Sequence, residues 1–322
     1  MQIDVIIPAY NAHETIDKAL ASIAMQKIDP EDEIQVIIVN DASTDGSYHD
    51  CARYWAALGL NIGVLDRKEN GGCGQARQSG IDAGSGDCFT CLDADDVLGS
   101  PFALRVFLDG MKLGYDLVMG QFVEETEKKT MVPHGANYVW MHGKCYSYKF
   151  VREHDLKFNL SRYNEDVAFN SIVHNITENV LYVPQTVYIW HNRADSTVRG
   201  KHDHYCHGYG WRAFIENMGW TEEELRKRGV EEEKILTFLS QAIARMYWNS
   251  QDGHEILPEE EEANFAAMRV FFINSIQPHA DGLTKEKLRE GYFKVAAETP
   301  MTSVPYMTFE DFLRKIGFSE VK

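Results

Sequence analysis

Four short runs of strand-forming residues alternate with stretches of helical length over the first 92 residues of this 322-residue chain. The runs lie at 3–8, 34–39, 61–66 and 87–92, and the stretches between them have the length and pattern of helices. Repeated β-α-β units of this kind form a parallel sheet that is covered by helices on both faces. The sequence therefore predicts an α/β fold built on a mainly parallel, Rossmann-like sheet flanked by helices.

Polar residues follow three of these runs, at the point where each run ends. Tyr10-Asn11 follows the first run, Asn40-Asp41 the second, and Asp93-Ala94-Asp95-Asp96 the fourth. Ligands of open α/β sheets bind beyond the carboxyl ends of the strands. We therefore expect these three clusters to meet at one rim of the sheet.

The stretch around and after the Asp-rich cluster predicts further elements. Residues 101–113 have a helical pattern, 115–123 the pattern of a strand, and the polar stretch 124–137 that of a loop. The CxxC at Cys88–Cys91 lies in the fourth strand, where residues three apart point to opposite faces. We expect buried thiols there and no zinc knuckle.

The pattern becomes helical from about residue 203 onward. Thr221 followed by Glu224 resembles a capping box that would begin a helix, and the acidic run Glu222–Glu224 is interpreted as a solvated first turn. We predict two domains, an α/β domain at 1–202 and a helical C-terminal subdomain at 203–322. The subdomain's helices could bind acceptor, pair subunits into an oligomer or cap the core, and the sequence does not choose among these roles.

The formal net charge of −17 argues against a general affinity for nucleic acid. Residues 142–212 are an exception, with nine Lys and Arg against seven Asp and Glu, and are compatible with one anionic acceptor. The start of the chain lacks the basic segment of a signal peptide, and no apolar run has the length of a membrane span. The expectation is a cytoplasmic protein with no membrane span.

Three carboxylates crowd into the run Asp93-Ala94-Asp95-Asp96. Carboxylates packed this closely repel one another, so a cluster at a strand end suggests a cation that neutralises them. Mn²⁺ or Mg²⁺ accepts oxygen ligands and completes its shell with a substrate diphosphate. The alternative is a solvated turn that caps the helix near residue 101.

Five blocks in this order and spacing resemble the inverting family 2 glycosyltransferases of GT-A fold. They are Val5–Asn11, Val39–Ser47, Asn70–Arg77, Leu92–Asp96 and Glu165-Asp166, and the resemblance spans roughly residues 1–200. It implies a GT-A fold that binds a nucleotide-sugar donor, with a UDP-sugar as the expected donor and Mn²⁺ or Mg²⁺ as cofactor.

The resemblance also implies residue roles on the donor side. Pro8 and Tyr10 would line the base pocket, Asp41 would hold the uracil or ribose, and Arg77 would reach the base or the diphosphate. Asp93 would touch the ribose and Asp95 would ligate the metal. Further donor-binding positions in the matching blocks are Asn11, Asn70, Gly71 and Ala94. Read singly, Tyr10 could instead be a core aromatic, Asp41 an Asx-turn residue and Arg77 a surface cation of a helix.

Glu165-Asp166 precedes an apolar pattern of helical period, so both acids belong to the first turn of a helix. Two acids at such a place can simply complement the helix dipole. The resemblance implies that Asp166 is the catalytic base and Glu165 its support. In an inverting transfer, a carboxylate takes the proton of the acceptor hydroxyl as that oxygen attacks the anomeric carbon.

Acceptor-side contacts are expected at Trp140, His142 and Lys144, and at Arg193 and Ser196. His191 stands where the family often has Arg, and it could be a metal ligand, a phosphate contact or a packed strand residue. The cluster His202–His207 could form a basic loop near the donor phosphates, a solvated face or an adventitious metal site.

The leading hypothesis is an inverting transferase that moves a hexose or N-acetylhexosamine from a UDP-sugar to an acceptor hydroxyl. The acceptor could be a glycan, a wall polymer, a protein or modified nucleic acid. The rival is a catalytically silent module of the same fold that binds glycan or nucleotide. The joint presence of Asp95 and Asp166 favours the enzyme.

Overall fold

A computed structural model of the chain describes residues 1–46, 48–192, 209–251, 258–298 and 305–318. The chain divides into two compact units, Met1–Arg193 and Ala194–Lys322. The predicted boundary between residues 202 and 203 falls in the stretch 193–208, outside the described residues, and stays a prediction. No helix in the described ranges is both long enough and apolar enough to cross a membrane.

The first unit contains one sheet, and its first four strands alternate with helices as predicted. Its strands are β1 (Gln2–Ala9), β2 (Glu33–Asn40), β3 (Ile62–Asp66), β4 (Cys88–Cys91), β5 (Val97–Leu98), β6 (Leu117–Glu125), β7 (Met131–His134), β8 (Lys144–Ser147) and β9 (Val180–Trp190). Its helices are α1 (Ile16–Ala24), α2 (Tyr48–Ala57), α3 (Cys73–Ala83), α4 (Ala103–Lys112), α5 (Tyr148–Glu153) and α6 (Glu165–Ile176). The predicted α/β fold is confirmed.

The strand order is β3-β2-β1-β4-β8-β6-β9-β5, with β7 paired to β6. The pairs among β3, β2, β1 and β4 are parallel, so their carboxyl ends share one rim. Strand β8 runs antiparallel to both of its neighbours. Its amino end therefore lies beside the carboxyl end of β4, and the residues just before β8 reach the same rim.

The centre of the sheet is apolar because β1 and β4 are buried along almost their whole length. Both cysteines of the CxxC are buried in β4, as expected for free thiols in a central strand. Helix α3 packs closely on β1, and a Cβ added at Gly80 would come within 2.4 Å of Ile6 Cγ2. This contact fixes the position of α3, which carries Arg77.

The loop predicted at 124–137 is wrong in part. Strand β6 continues to Glu125, and Met131–His134 forms β7 against it. The polar composition of this stretch hid the strand because β7 lies at the edge of the sheet and three of its four residues are exposed. The hairpin places His134 against Phe122, with ring centroids 4.7 Å apart.

The second unit is helical in its described ranges. It contains α7 (Tyr209–Lys227), α8 (Glu232–Gln251), α9 (Pro258–Phe271), α10 (Lys285–Glu298) and α11 (Phe309–Ile316), with a π-helical turn Phe272–Ile276 and a 3₁₀ turn Gln277–His279 after α9. The helical C-terminal region is therefore confirmed.

The predicted helix start at Thr221 is wrong, because α7 begins at Tyr209 and continues through this residue. Glu222 does not lie in a solvated first turn either. Its side chain is buried, accepts from Arg226 Nε at 2.7 Å, and lies 3.1 Å from His279 Nε2. Apolar neighbours on the inner face extend the helix past a local capping signal.

Candidate active site

Loops after β1 and β2 meet at the rim through backbone and side-chain hydrogen bonds. The Asp41 amide donates to the Ala9 carbonyl at 2.9 Å, and Asn11 Oδ1 accepts from the Thr44 amide at 2.9 Å. Asn11 has a φ of 48°, a left-handed conformation that Asn adopts more readily than most residues. Tyr10 beside it is 54% exposed, so its ring is open to a ligand and is not a core aromatic.

Asp41 is buried and fixes the loop that opens α3. Its carboxylate accepts from the amides of Gly71 and Gly72, with a shortest distance of 2.8 Å, and lies 2.7 Å from Arg67 Nε. The Ser43 amide, which an Asx turn at Asp41 would use, donates instead to Asn40 Oδ1 at 2.9 Å. Asp41 thus joins two of the predicted donor-side segments.

Asn70 extends the same connection to a loop that lies far away in sequence. Its side-chain nitrogen Nδ2 donates to the Asp41 carbonyl at 3.2 Å, and its Oδ1 accepts from Arg162 Nη1 at 2.8 Å. Arg162 lies four positions before Asp166, so the donor-side loop and the start of α6 are held together. This role of Arg162 was not predicted, because an exposed arginine in a loop belongs to no motif.

Arg77 is buried and bridges two carboxylates. Its Nη1 donates to Glu165 Oε1 at 3.0 Å and its Nη2 donates to Asp93 Oδ1 at 2.8 Å. The surface-cation alternative is therefore wrong, since only 5% of the residue is exposed. Burial would raise the pKa of the Asp93 carboxyl, but the charge of Arg77 outweighs it and holds that pKa below its ordinary value.

Asp96 differs from Asp93 because, among the described side chains, none forms an ion pair with it as Arg77 does with Asp93. Its Oδ2 accepts from Tyr188 Oη at 2.5 Å, and its Oδ1 accepts from the His191 amide at 2.8 Å. Burial, with the charges of Asp95 and Asp93, raises the pKa of Asp96 well above its ordinary value. This buried acid therefore fastens the end of β9 to the Asp-rich turn.

One group of three side chains in the described part of the chain has the spacing of a metal site. The ligand atoms of Asp93, Asp96 and His142 all lie within 4.8 Å of one another. The β4–β8 pairing explains this, because continuing its antiparallel register beyond Thr90 and Cys145 places residue 142 opposite residue 93. Asp96 and His142 are almost fully buried, so a bound diphosphate has little access to a cation held between them.

The predicted ligands Asp95 and His191 lie outside that group and stay a prediction. The carboxylate of Glu125 is 3.3 Å from His191 Nδ1, and the side chain of His191 is 33% exposed. A metal-ligating histidine commonly donates from one ring nitrogen to a carboxylate while the other binds the metal. Asp95 is only half-buried, so these two side chains fit a cation that must also meet a ligand from solvent.

Helix α6 places the predicted catalytic acids. It begins at Glu165 directly after Asn164, whose φ of 58° turns the chain into the helix. Burial raises the pKa of Glu165 to about 8, with the charge of Asp166 acting in the same direction and Arg77 opposing both. Asp166 Oδ1 accepts from the Val167 amide at 2.8 Å, and burial also raises the pKa of Asp166.

The predicted acceptor-side residues fall into different environments. Trp140 is half-buried, and its ring centroid is 5.5 Å from that of Trp190. Lys144 is fully buried and its side-chain nitrogen donates to the Trp140 carbonyl, and the expected acceptor contact at Lys144 stays a prediction. Arg193, Ser196 and the cluster His202–His207 lie outside the described residues.

The remaining donor-side predictions lie at the same rim. Pro8 is buried in β1, beside Val39 of β2, and Ala94 is buried in the Asp-rich turn. The rim therefore brings together chain segments near residues 10, 41, 71, 93 and 165, although their individual roles stay predictions. The approach of His142 to Asp93 was missed because strand register over long separations is not visible in one sequence.

Comparison with known proteins identifies the relatives of this chain. The family model for Glycosyl transferase family 2 matches residues 4–164. Glycosyltransferase GlyA of Streptococcus pneumoniae is 24% identical over 280 residues, which cover 78% of this chain and 38% of GlyA. Poly(ribitol-phosphate) beta-N-acetylglucosaminyltransferase TarS of Staphylococcus aureus is 22% identical over 307 residues, which cover 90% of this chain and 52% of TarS. The chain thus spans about half, or less, of the length of these relatives.

Solved structures agree on the fold. The structure of S. aureus TarS 1–349 in complex with UDP-GlcNAc matches with a TM-score of 0.71 at 18% identity, covering 92% of this chain and 91% of that one. The corresponding structure with UDP matches with a TM-score of 0.69. The GT-A fold predicted from the sequence is confirmed. Because the family model matches half of its length, this chain belongs to glycosyl transferase family 2.

Proposed function

We propose that the chain transfers a hexose or N-acetylhexosamine from a UDP-sugar to an acceptor hydroxyl with inversion at the anomeric carbon. The observation that carries the proposal is the pair of contacts made by Arg77, which ties Asp93 of the donor-side turn to Glu165, the neighbour of Asp166. A donor-binding turn and a candidate base are thereby held at one rim. TarS, which has the same fold, has been solved with UDP-GlcNAc and with UDP.

The nucleotide would bind where the loops after β1 and β2 meet. The exposed ring of Tyr10 can stack on a base, while Asp41 holds the amides of Gly71 and Gly72 in place. Since Arg67 and the two amides already occupy the Asp41 carboxylate, its first role in our proposal is to shape the base pocket. Any direct contact of Asp41 with uracil or ribose would add to that role.

Asp95 and His191 would hold the divalent cation, with Glu125 orienting the His191 ring and Asp96 holding the His191 backbone. Mn²⁺ or Mg²⁺ bound there would offset the negative charge on the departing diphosphate. The buried group Asp93, Asp96 and His142 is the alternative ligand set.

Asp166 would act as the base. As the acceptor oxygen forms its bond to the anomeric carbon, the bond from that carbon to the diphosphate oxygen breaks and its electron pair leaves with UDP. The acceptor proton passes to the Asp166 carboxylate. Burial raises the pKa of Asp166 above that of an ordinary aspartate, which makes its carboxylate a stronger base. Glu165, which is held by Arg77, would keep the first turn of α6 in position.

A cell-wall polymer is the acceptor that the relatives favour, because TarS is a poly(ribitol-phosphate) transferase and the residues around 142–212 are mildly basic. Other glycans, proteins and modified nucleic acid remain the alternatives. We place the reaction in a reducing compartment such as the cytoplasm, since Cys51, Cys73, Cys88, Cys91 and Cys145 are all free thiols.

Calorimetric titration with UDP, with and without Mn²⁺, tests the donor half of the proposal. We expect UDP to bind more tightly with Mn²⁺ present, and one of UDP-glucose, UDP-GlcNAc, UDP-galactose and UDP-GalNAc to be slowly hydrolysed without acceptor. Absence of both UDP binding and hydrolysis would contradict the proposal. Binding of UDP without hydrolysis or transfer to any wall-polymer acceptor would support the rival, a silent nucleotide-binding module.

A further inference from the structure

A cavity of about 670 Å³ lies within the second unit, between α8, α10 and the start of α11. Its size falls within the range of small-molecule sites, which is roughly 300–1,000 Å³. The described residues that line it come from all three helices and from the segment 305–308. It therefore does not belong to the site formed at the rim of the sheet.

The floor of this cavity is aromatic and firmly packed. Tyr247 is buried, and its hydroxyl donates to the Met307 carbonyl at 2.9 Å. The ring centroid of Phe309 is 5.2 Å from that of Tyr247 and 4.9 Å from that of Tyr292. The rings of this floor are thus held in fixed orientations by one another and by the helices that carry them.

The mouth of the cavity is aromatic as well, yet it faces solvent. Phe293 is 66% exposed and Tyr306 is 60% exposed. The Tyr306 hydroxyl lies 3.2 Å from Glu261 Oε1, which limits how far its ring can turn. These two exposed rings adjoin the aromatic floor, and a contiguous exposed apolar patch of this kind marks a ligand-binding groove more often than single exposed rings do.

Two opposite charges stand at the same mouth. Arg289 and Glu310 both line the cavity and are both exposed. Among the described residues, neither makes a hydrogen bond or an ion pair, whereas the adjacent Asp311 is bonded to Thr308 and Arg314. Arg289 offers five N–H donors and the Glu310 carboxylate offers only acceptors, so together they match a ligand with hydroxyl groups, which donate and accept.

We infer that this cavity binds an uncharged pyranose unit of a saccharide. A pyranose ring presents apolar C–H faces to aromatic rings and hydroxyl groups at its edge, which matches the rings of Tyr292 and Tyr306 beside the charges of Arg289 and Glu310. Because Glu310 and Asp311 both line the cavity beside Arg289, a phosphate-bearing unit is a poorer match. The further statement that this saccharide is part of the acceptor rests on the proposed transferase function.

Binding is tested on the whole chain, without any nucleotide sugar, by calorimetric titration and saturation-transfer NMR. The probes are cellotriose, chitotriose and maltotriose, with ribitol 5-phosphate as the anionic comparison. We expect at least one neutral trisaccharide to bind and ribitol phosphate to bind more weakly. We expect Arg289→Ala and Tyr306→Ala each to lower the saccharide affinity at least about tenfold, since each removes a group that contacts the ligand.

Lys294→Ala is the matched control, because Lys294 is exposed on the same helix as Arg289 and does not line the cavity. The control should bind like the wild type. The inference is overturned if none of the three trisaccharides binds, if both cavity variants bind like the wild type, or if ribitol phosphate binds more tightly. Since the titration contains no donor, its failure is distinct from a failure of the UDP titration that tests the transferase proposal.

Discussion

The guanidinium of Arg77 donates to Glu165 at 3.0 Å, joining residues that are 88 positions apart in the sequence. Both side chains are almost fully buried, at 6% and 7% exposure. Because Arg77 also holds Asp93 at 2.8 Å, α3, the Asp-rich turn and α6 share one cation. The geometry of the candidate site therefore depends on a residue that the sequence suggested only as a donor contact.

Removing this cation should destabilise the protein. In Arg77→Ala, Glu165 and Asp93 lose their shared partner and remain buried, and we expect the free energy of unfolding to fall by about 3–5 kcal/mol in urea. Arg105→Ala is the control, because Arg105 is 45% exposed and pairs with Asp29 and Asp109 at the surface. Arg105→Ala should lower the free energy of unfolding by less than about 1 kcal/mol. Equal losses of unfolding free energy in the two variants would show that the buried bridge stabilises the protein no more than a surface ion pair does.

Replacing the proposed base should separate catalysis from binding. Asp166→Asn keeps the size of the side chain but removes its proton-accepting carboxylate, so we expect kcat to fall by about 10²–10⁴ while the Kd for UDP is unchanged. Transfer is measured on a wall-polymer acceptor and Kd by calorimetry. Asp109→Asn on the exposed face of α4 should keep the full rate. Retention of wild-type kcat by Asp166→Asn would exclude Asp166 as the base.

Mn²⁺ titrations can distinguish the two candidate ligand sets. We expect Asp95→Asn and His191→Asn each to weaken Mn²⁺ binding in the presence of UDP by at least about tenfold, because each would remove a metal ligand. His142→Asn should have a smaller effect, since His142 is buried against Tyr188 with ring centroids 4.7 Å apart. Binding is read from the electron paramagnetic resonance signal of free Mn²⁺. The opposite ranking would move the cation to the group formed by Asp93, Asp96 and His142.

His174 should make the protein sensitive to acid. Burial, aided by the charge of Lys144, lowers the pKa of this histidine to about 3, and its Nε2 has no hydrogen-bond partner among the described residues. Because the pKa in the folded state lies below that of the unfolded chain, protonation favours unfolding. The contribution of His174 to stability is complete above pH 6.5 and is lost as the pH falls from there toward 3.

We therefore compare His174→Phe with the wild type by urea unfolding at pH 7.5 and pH 5. The wild type should lose up to about 2 kcal/mol more than the variant between these two values. The phenylalanine can keep the edge contact with Tyr138, whose ring centroid is 4.3 Å from that of His174. His154→Phe, at an exposed histidine, is the control for replacing an imidazole by a phenyl ring. Parallel pH profiles for His174→Phe and the wild type would contradict the expected burial effect.

The first four strands could be predicted closely because each is a continuous strand-forming run bounded by turn residues. The run predicted at 34–39 is observed at Glu33–Asn40, and that at 87–92 is observed at Cys88–Cys91. Strands β7 and β8 were not predicted, because each has four residues and depends on a partner that is distant in sequence. Local pattern specifies an element, whereas pairing partners decide whether a short one forms.

In the candidate site, too, some features could be predicted from the sequence and others could not. The polar residues after β1, β2 and β4 could be placed at one rim because parallel strands share the direction of their carboxyl ends. The partners of Arg77 could not be predicted, because the sequence does not show whether an arginine is buried or solvated. Thr221 was misassigned for a related reason: its local capping signal is overridden by burial in the middle of α7.

Because β8 runs antiparallel to β4, the two parts of the candidate site lie on different kinds of connection in the sheet. The connections among β1, β2, β3 and β4 carry the loops at which we propose that the nucleotide binds, while Trp140 and His142 lie at the same rim on the connection that precedes β8. That connection can lengthen, shorten or change composition without shifting the register of a single parallel strand. In the proposed transferase, this one segment could therefore change the acceptor that is recognised while the loops proposed to bind the sugar nucleotide stay as they are.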